Sequence, residues 1–248
     1  MADREDPSLL SQRPIPPAER LIFALDVPDR DTALRFVDRL GDSVRFYKVG
    51  LELAVTEHCF RLVDELLARG KQVFLDLKLH DVPETVGRAV RNLHGREGLF
   101  VTVHADDAAL RAAVRERGGV KVIAVTVLTS LERQDLVDQG YPADLDLAAH
   151  VVARSRRAIG LGCDGVVASP LEAGRLRREL GAEFLILTPG IRPLEGRSPD
   201  DQKRIATPRE AFLAGSDYVV VGRPIRDAAV PRAVAEKIQA EISELFAK

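Results

Sequence analysis

Apolar residues fall along this chain in a regular beat. Short runs of apolar side chains alternate with longer stretches in which they return every three or four positions. The runs at 21–25, 45–49, 72–79, 99–104, 120–128, 165–168, 183–187 and 218–221 predict eight strands. The stretches at 31–40, 56–69, 83–93, 105–117, 145–159, 170–180, 208–214 and 230–246 predict helices. Strands that alternate with helices of this length imply βαβ units and a parallel sheet. Eight such units predict a closed α/β barrel: a single-domain (β/α)8 TIM barrel over residues 21–248. An open doubly wound sheet would show a glycine-rich turn after its first strand, whereas this one ends in Leu25-Asp26-Val27-Pro28.

Residues 1–20 do not join the pattern. They are polar, contain Pro7, Pro14, Pro16 and Pro17, and lack the basic start and apolar run of a signal peptide. They are expected to form a flexible N-terminal extension. A net charge of −2 gives no electrostatic footprint for nucleic acid, and no basic amphipathic helix or long apolar span calls for a membrane. Cys59 and Cys163 stand far apart with no CxxC pair, which fits reduced thiols in the cytoplasm.

Charge inside the strands changes the picture. In Val73-Phe74-Leu75-Asp76-Leu77-Lys78-Leu79-His80 successive side chains should alternate between faces. Val73, Leu75, Leu77 and Leu79 then pack outward under the helices. Phe74, Asp76, Lys78 and His80 point into the barrel. Burying an ion costs several kcal/mol even after relaxation, so a structural ion pair would be the plain explanation of one such pair. Other strands repeat the theme: Asp26 closes the first, Lys48 stands in the second and His104 closes the fourth. All lie at or near C-terminal strand ends, where barrel enzymes assemble their sites. Asp81 lies past the third strand and could reach a site from a loop, and Pro83 suits the first turn of the next helix.

The far end of the chain offers an anion site. Val221-Gly222-Arg223-Pro224 follows the eighth strand, so a glycine permits close backbone approach and an arginine offers a fork of donors. Thr188-Pro189-Gly190-Ile191-Arg192 closes the seventh strand in similar style. Barrels often hold phosphate at these two loops. The polar stretch 192–207 follows, placed where an active-site loop would be.

The block Asp76-Leu77-Lys78-Leu79-His80-Asp81 resembles the DxKxxD signature of the orotidine 5′-monophosphate decarboxylase family. Tyr47-Lys48-Val49-Gly50, Val125-Thr126-Val127-Leu128-Thr129-Ser130, Thr188-Pro189-Gly190-Ile191-Arg192, Asp201-Gln202 and Val221-Gly222-Arg223-Pro224 match it in order along nearly the whole chain. The resemblance implies decarboxylation of orotidine 5′-monophosphate to UMP, without cofactor or metal, in a homodimer. Lys48, Asp76, Lys78 and Asp81 would form the charge network at the reacting carbon, Asp81 coming from the other subunit. Asp26 and Lys48 would hold the ribose hydroxyls, with Thr85 of the partner subunit nearby. Thr129 would lie on the pyrimidine edge, and Gln202 would bridge base and phosphate. Gly222 and Arg223 would grip the phosphate, with Arg192 in the same loop region.

His80 and His104 are not expected to be catalytic. Metal-dependent sugar-phosphate decarboxylases and aldolases of the same superfamily share DxKxxD, but need an acidic ligand where this chain has Lys48. A nucleotide-binding barrel without activity is a second alternative, against which the intact set of charged positions speaks, and a phosphate-binding barrel isomerase is a third, for which no Glu/His pair stands in the expected arrangement.

Overall fold

The computed structural model describes residues 6–193 and 206–247. Among them eight parallel strands close into one barrel in chain order. They are β1 (Leu21–Ala24), β2 (Phe46–Val49), β3 (Gln72–Leu79), β4 (Leu99–His104), β5 (Lys121–Val125), β6 (Gly165–Val167), β7 (Leu185–Thr188) and β8 (Tyr218–Val221), the last pairing back onto β1. The outer helices are α1 (Arg30–Leu40), α2 (Leu51–Ala54), α3 (Cys59–Ala68), α4 (Pro83–Arg91), α5 (Asp107–Arg115) and α6 (Arg133–Asp138). They continue with α7 (Leu147–Gly160), α8 (Pro170–Leu180), α9 (Pro208–Leu213), α10 (Arg223–Arg226) and α11 (Pro231–Phe246). The predicted (β/α)8 barrel is therefore present. Helices α2, α6 and α10 lie outside the predicted stretches; α2 and α10 have four residues each, too few to display a helical period. The fifth strand stops at Val125 rather than 128, where the chain turns and the Leu131 amide donates to the Leu128 carbonyl.

Both faces of the strands are covered, as a parallel sheet requires. Leu21, Phe23, Val73, Leu75, Val219 and Val221 face outward into the shell of helices. Ile22, Phe46, Phe74, Phe100, Ile123, Leu185, Tyr218 and Val220 fill the interior. Phe46, Phe100 and Tyr218, from the even strands β2, β4 and β8, meet edge to face with centroids 4.9–5.7 Å apart. Alternate strands supplying one layer is the usual packing of such barrels. The even strand β6 contributes glycine instead: a Cβ on Gly165 would lie 2.5 Å from the Leu185 carbonyl oxygen of β7. Gly165→Ala should therefore destabilise the barrel by about 1–3 kcal/mol as overpacking. The denaturant midpoint would show it, and an unchanged midpoint would mean the β6–β7 contact relaxes freely.

The floor of the barrel amends one expectation. Residues 6–20 do not behave as a loose extension. Pro7–Leu9 and Pro17–Glu19 form single 3-10 turns, and Ile15 packs against the interior cluster. Ser11 donates to buried Asp217. Arg20, fully buried, donates to the carbonyls of Asp217 and Arg13 and lies 3.7 Å over the Phe246 ring. Asp217 also pairs with Arg177 and accepts from the Ile186 amide. Two of the prolines that give this segment a linker-like composition, Pro7 and Pro17, each open one of these turns. No helix among the described residues is long and apolar enough to cross a membrane.

Candidate active site

Strand register builds the site. It sets Ala24, Lys48 and Phe74 on one level of β1, β2 and β3. Asp26 and Asp76, two residues further on, rise above that level on the same face. The Lys48 ammonium consequently stands 2.8 Å from Asp26 Oδ1 and 3.9 Å from Asp76 Oδ2. Lys78 Nζ lies 2.8 Å from the same Asp76 oxygen. The four charges alternate in sign from β1 to β3. That alternation offsets the desolvation each would suffer alone, because every ammonium has a carboxylate in contact.

Strict alternation along β3 does not hold to its end. Leu75 pairs with Val101 and Leu79 with Val103, so Asp76, Leu77 and Lys78 together face the single residue Thr102 of β4. Lys78 takes a positive φ of 50°, a conformation that costs a residue with a Cβ about 1–3 kcal/mol. The bulge turns both Asp76 and Lys78 toward the cavity and carries His80 away from it. His80 is exposed, with its ring 5.0 Å from His104, so the expectation that it faces inward is corrected. Burial, helped by the nearby His80, Arg154 and Lys78, holds the His104 imidazole below its ordinary pKa. Neither histidine lines the cavity.

The cavity holds about 250 Å³ at the C-terminal mouth of the barrel. Asp26, Lys48, Asp76 and Lys78 line one side. Val125, Val127, Leu128, Val167, Leu187 and Val220 form an apolar wall, with Thr129 on the turn after β5. Pro189 to Arg192 after β7 and Gly222 to Pro224 after β8 complete the lining. In a ring closed in chain order β7 stands opposite β3, so Arg192 lies across the cavity from the Asp76–Lys78 pair. Arg192 is almost wholly buried, its amide donating to the Ala206 carbonyl. An anionic group at the arginine side and a second anionic centre at the lysine side could be held at once, separated by a flat apolar stretch.

Asp26, Lys48, Asp76, Lys78, Thr129, Arg192, Gly222 and Arg223 are thus brought together. Asp81 and Thr85 are not. Asp81 is exposed on the β3–α4 loop, where it accepts from the Val82 amide, and Thr85 lies in the first turn of α4. Gln202 lies outside the described residues. Two residues at the site were not singled out by sequence. Thr102 donates to Asp76 Oδ1 at 3.1 Å and accepts from the Lys78 amide at 2.7 Å. Its shared face with Phe100 was the available signal. Gly50 packs so tightly that a Cβ there would lie 2.8 Å from Lys48 Nζ. Among the described residues, no three His, Cys, Asp or Glu side chains group as they would around a metal ion.

Comparison with known proteins gives a consistent result. The model of the family "Orotidine 5′-phosphate decarboxylase / HUMPS" matches residues 19–238. An orotidine 5′-phosphate decarboxylase of Methylococcus capsulatus is 55% identical over 241 residues, covering 97% of this chain and 99% of that protein. One from Rhodopseudomonas palustris strain HaA2 is 50% identical over 228 residues, covering 91% and 95%. A crystal structure of the orotidine 5′-phosphate decarboxylase from Lactobacillus acidophilus superposes with a TM-score of 0.76 at 34% identity, covering 90% of this chain and 99% of that one.

Proposed function

The chain belongs to the orotidine 5′-phosphate decarboxylase / HUMPS family, and we propose that its Asp26–Lys48–Asp76–Lys78 array removes CO₂ from orotidine 5′-monophosphate to give UMP. The observation that carries this reading is the Lys48 ammonium between two carboxylates, at the position where metal-dependent relatives would need an acidic ligand. The phosphate is assigned to Arg223 and the Gly222 amide, with Arg192 beside them and Gln202 bridging to the base. The ribose is assigned to Asp26 and Lys48, and the pyrimidine edge to Thr129. The apolar wall takes the ring face.

Chemistry follows from the charges. When the C6–carboxylate bond breaks, its electron pair stays on C6 and CO₂ departs. No π orbital of the ring can absorb that pair directly, so stabilisation has to come from fixed charge already in place. The Lys78 ammonium stabilises the developing anion and then gives it a proton, and the resulting amine regains one from water. Asp76, lying beside the substrate carboxylate, disfavours the bound ground state.

Asp81 is assigned to the same centre from the partner subunit of a homodimer, with Thr85 of the partner subunit near the ribose. Two facts support this. Asp81 does not line the cavity of its own chain. Leu51, Val55, Phe60 and Val82, on the neighbouring β2 and β3 loops and α3, expose large apolar side chains as an interface would. The buried free cysteines agree with a cytoplasmic setting.

The test is the ultraviolet absorbance of orotidine 5′-monophosphate with purified protein in excess EDTA. Conversion to UMP is expected. Turnover of a sugar phosphate that needs added Mg²⁺, with none of the nucleotide, would assign the chain to the metal-dependent branch. Gly50→Ala supplies a finer check. Its methyl would displace the Lys48 ammonium, and kcat/KM should fall about 10–100-fold for an ångström-scale misplacement. The melting temperature should change little, and unaltered kinetics would remove Lys48 from its assigned place.

A further inference from the structure

We propose that Thr102 is a positioning residue for decarboxylation: its hydroxyl locks the bulge of β3 so that Asp76 and Lys78 present their charges together. The inference rests on the decarboxylase reading above. Opposite the bulge β4 offers one residue for three, so the Lys78 amide has lost its regular ladder acceptor. The Thr102 hydroxyl replaces it, accepting that N–H at 2.7 Å and donating its own proton to Asp76 Oδ1 at 3.1 Å. One hydroxyl can play both parts because it carries a single proton and two lone pairs. Thr102 is wholly buried.

The consequence for Asp76 is orientation. Its Oδ2 faces Lys78 and Lys48, and its Oδ1 is tied to Thr102, so both ends of the carboxylate are held. The consequence for Lys78 is backbone conformation. Its φ of 50° is one a lysine adopts only where the surroundings impose it, and the hydroxyl–amide bond is the local restraint on that residue. Removing the hydroxyl frees the carboxylate to rotate and the Lys78 backbone to relax, with no charged group deleted. The arginine side of the cavity, across the barrel, is untouched.

Thr102→Val keeps the shape and deletes the hydroxyl, while Thr102→Ser keeps the hydroxyl and deletes the methyl. The valine variant should lose about 10–100-fold in kcat, the scale of an ångström-size misplacement, with KM for orotidine 5′-monophosphate nearly unchanged. The serine variant should recover most of that loss. Wild-type kcat in the valine variant, equal losses in both variants, or a change confined to KM would each overturn the proposal. Circular dichroism checks folding, and Thr102→Ala takes the place of the valine variant if that one does not fold. Amide hydrogen exchange at Lys78, read by NMR, makes the test independent of turnover. Protection should be present in wild type and Thr102→Ser and lost in Thr102→Val. If wild type is inactive on the nucleotide while this exchange pattern holds, the decarboxylase reading fails and the lock stands. If wild type is active and the valine variant retains both protection and kcat, the lock fails alone.

Discussion

Lys78→Ala should fold as the wild type does and lose at least about 10⁴-fold in kcat. General acid catalysis by a positioned group contributes about 10²–10⁴, and removal of a preorganised charge at a developing anion costs about 10²–10³ more where the two act separately. Those contributions overlap in one ammonium, so the lower end of their product is the cautious expectation. The fold should tolerate the change because Lys78 keeps part of its side chain in solvent and is not a member of either apolar cluster. Asp76 would keep the Thr102 hydroxyl, and Lys48 at 3.9 Å. Single-turnover absorbance measurements with the denaturation midpoint of the same sample make the check. Turnover within a few-fold of wild type would sink the mechanism.

Mixing Asp81→Ala with Lys78→Ala protein should restore activity that neither variant has alone. In the proposed homodimer, a hybrid has one site that combines an intact Lys78 with an intact Asp81 from the other chain, and a second site that lacks both. Random exchange makes half the dimers hybrid with one good site each, so the mixture should approach about a quarter of wild-type activity. Asp81 lies exposed on the loop after β3 and outside the lining of its own chain's cavity. Mass spectrometry can confirm that subunits exchange. No recovery despite exchange would mean that Asp81 serves its own chain or serves no site.

Much of this was legible in the sequence, for definable reasons. The pattern over residues 72–79 predicts β3 at its observed bounds, Gln72–Leu79, since eight residues of alternating pattern leave little ambiguity. A carboxylate and an ammonium inside that strand could be recognised as out of place in a core, and register then brought Lys48 and Asp26 to meet them. The bulge was not legible. Period-two reasoning follows one strand, whereas a bulge is a mismatch between two, and it appears only when Thr102 is set against three residues. His80 was misplaced for the same cause. The order of the N-terminal segment is hidden because its composition is that of a linker and its anchors lie far along the chain: Ser11 finds Asp217, and Arg20 finds Phe246. Thr102 escaped notice because a threonine in an apolar strand looks like any β-branched filler.

The left-handed backbone at Lys78 also bears on how this protein would respond to engineering. Glycine, and to a lesser degree asparagine, sits more comfortably at such a φ than lysine does. A selection scheme that rewards only heat resistance would push position 78 toward those residues and would score the outcome as an improvement. The enzyme it delivered would be a sturdier barrel with its proposed proton donor gone, so any stabilised library of this scaffold needs an activity screen at that codon.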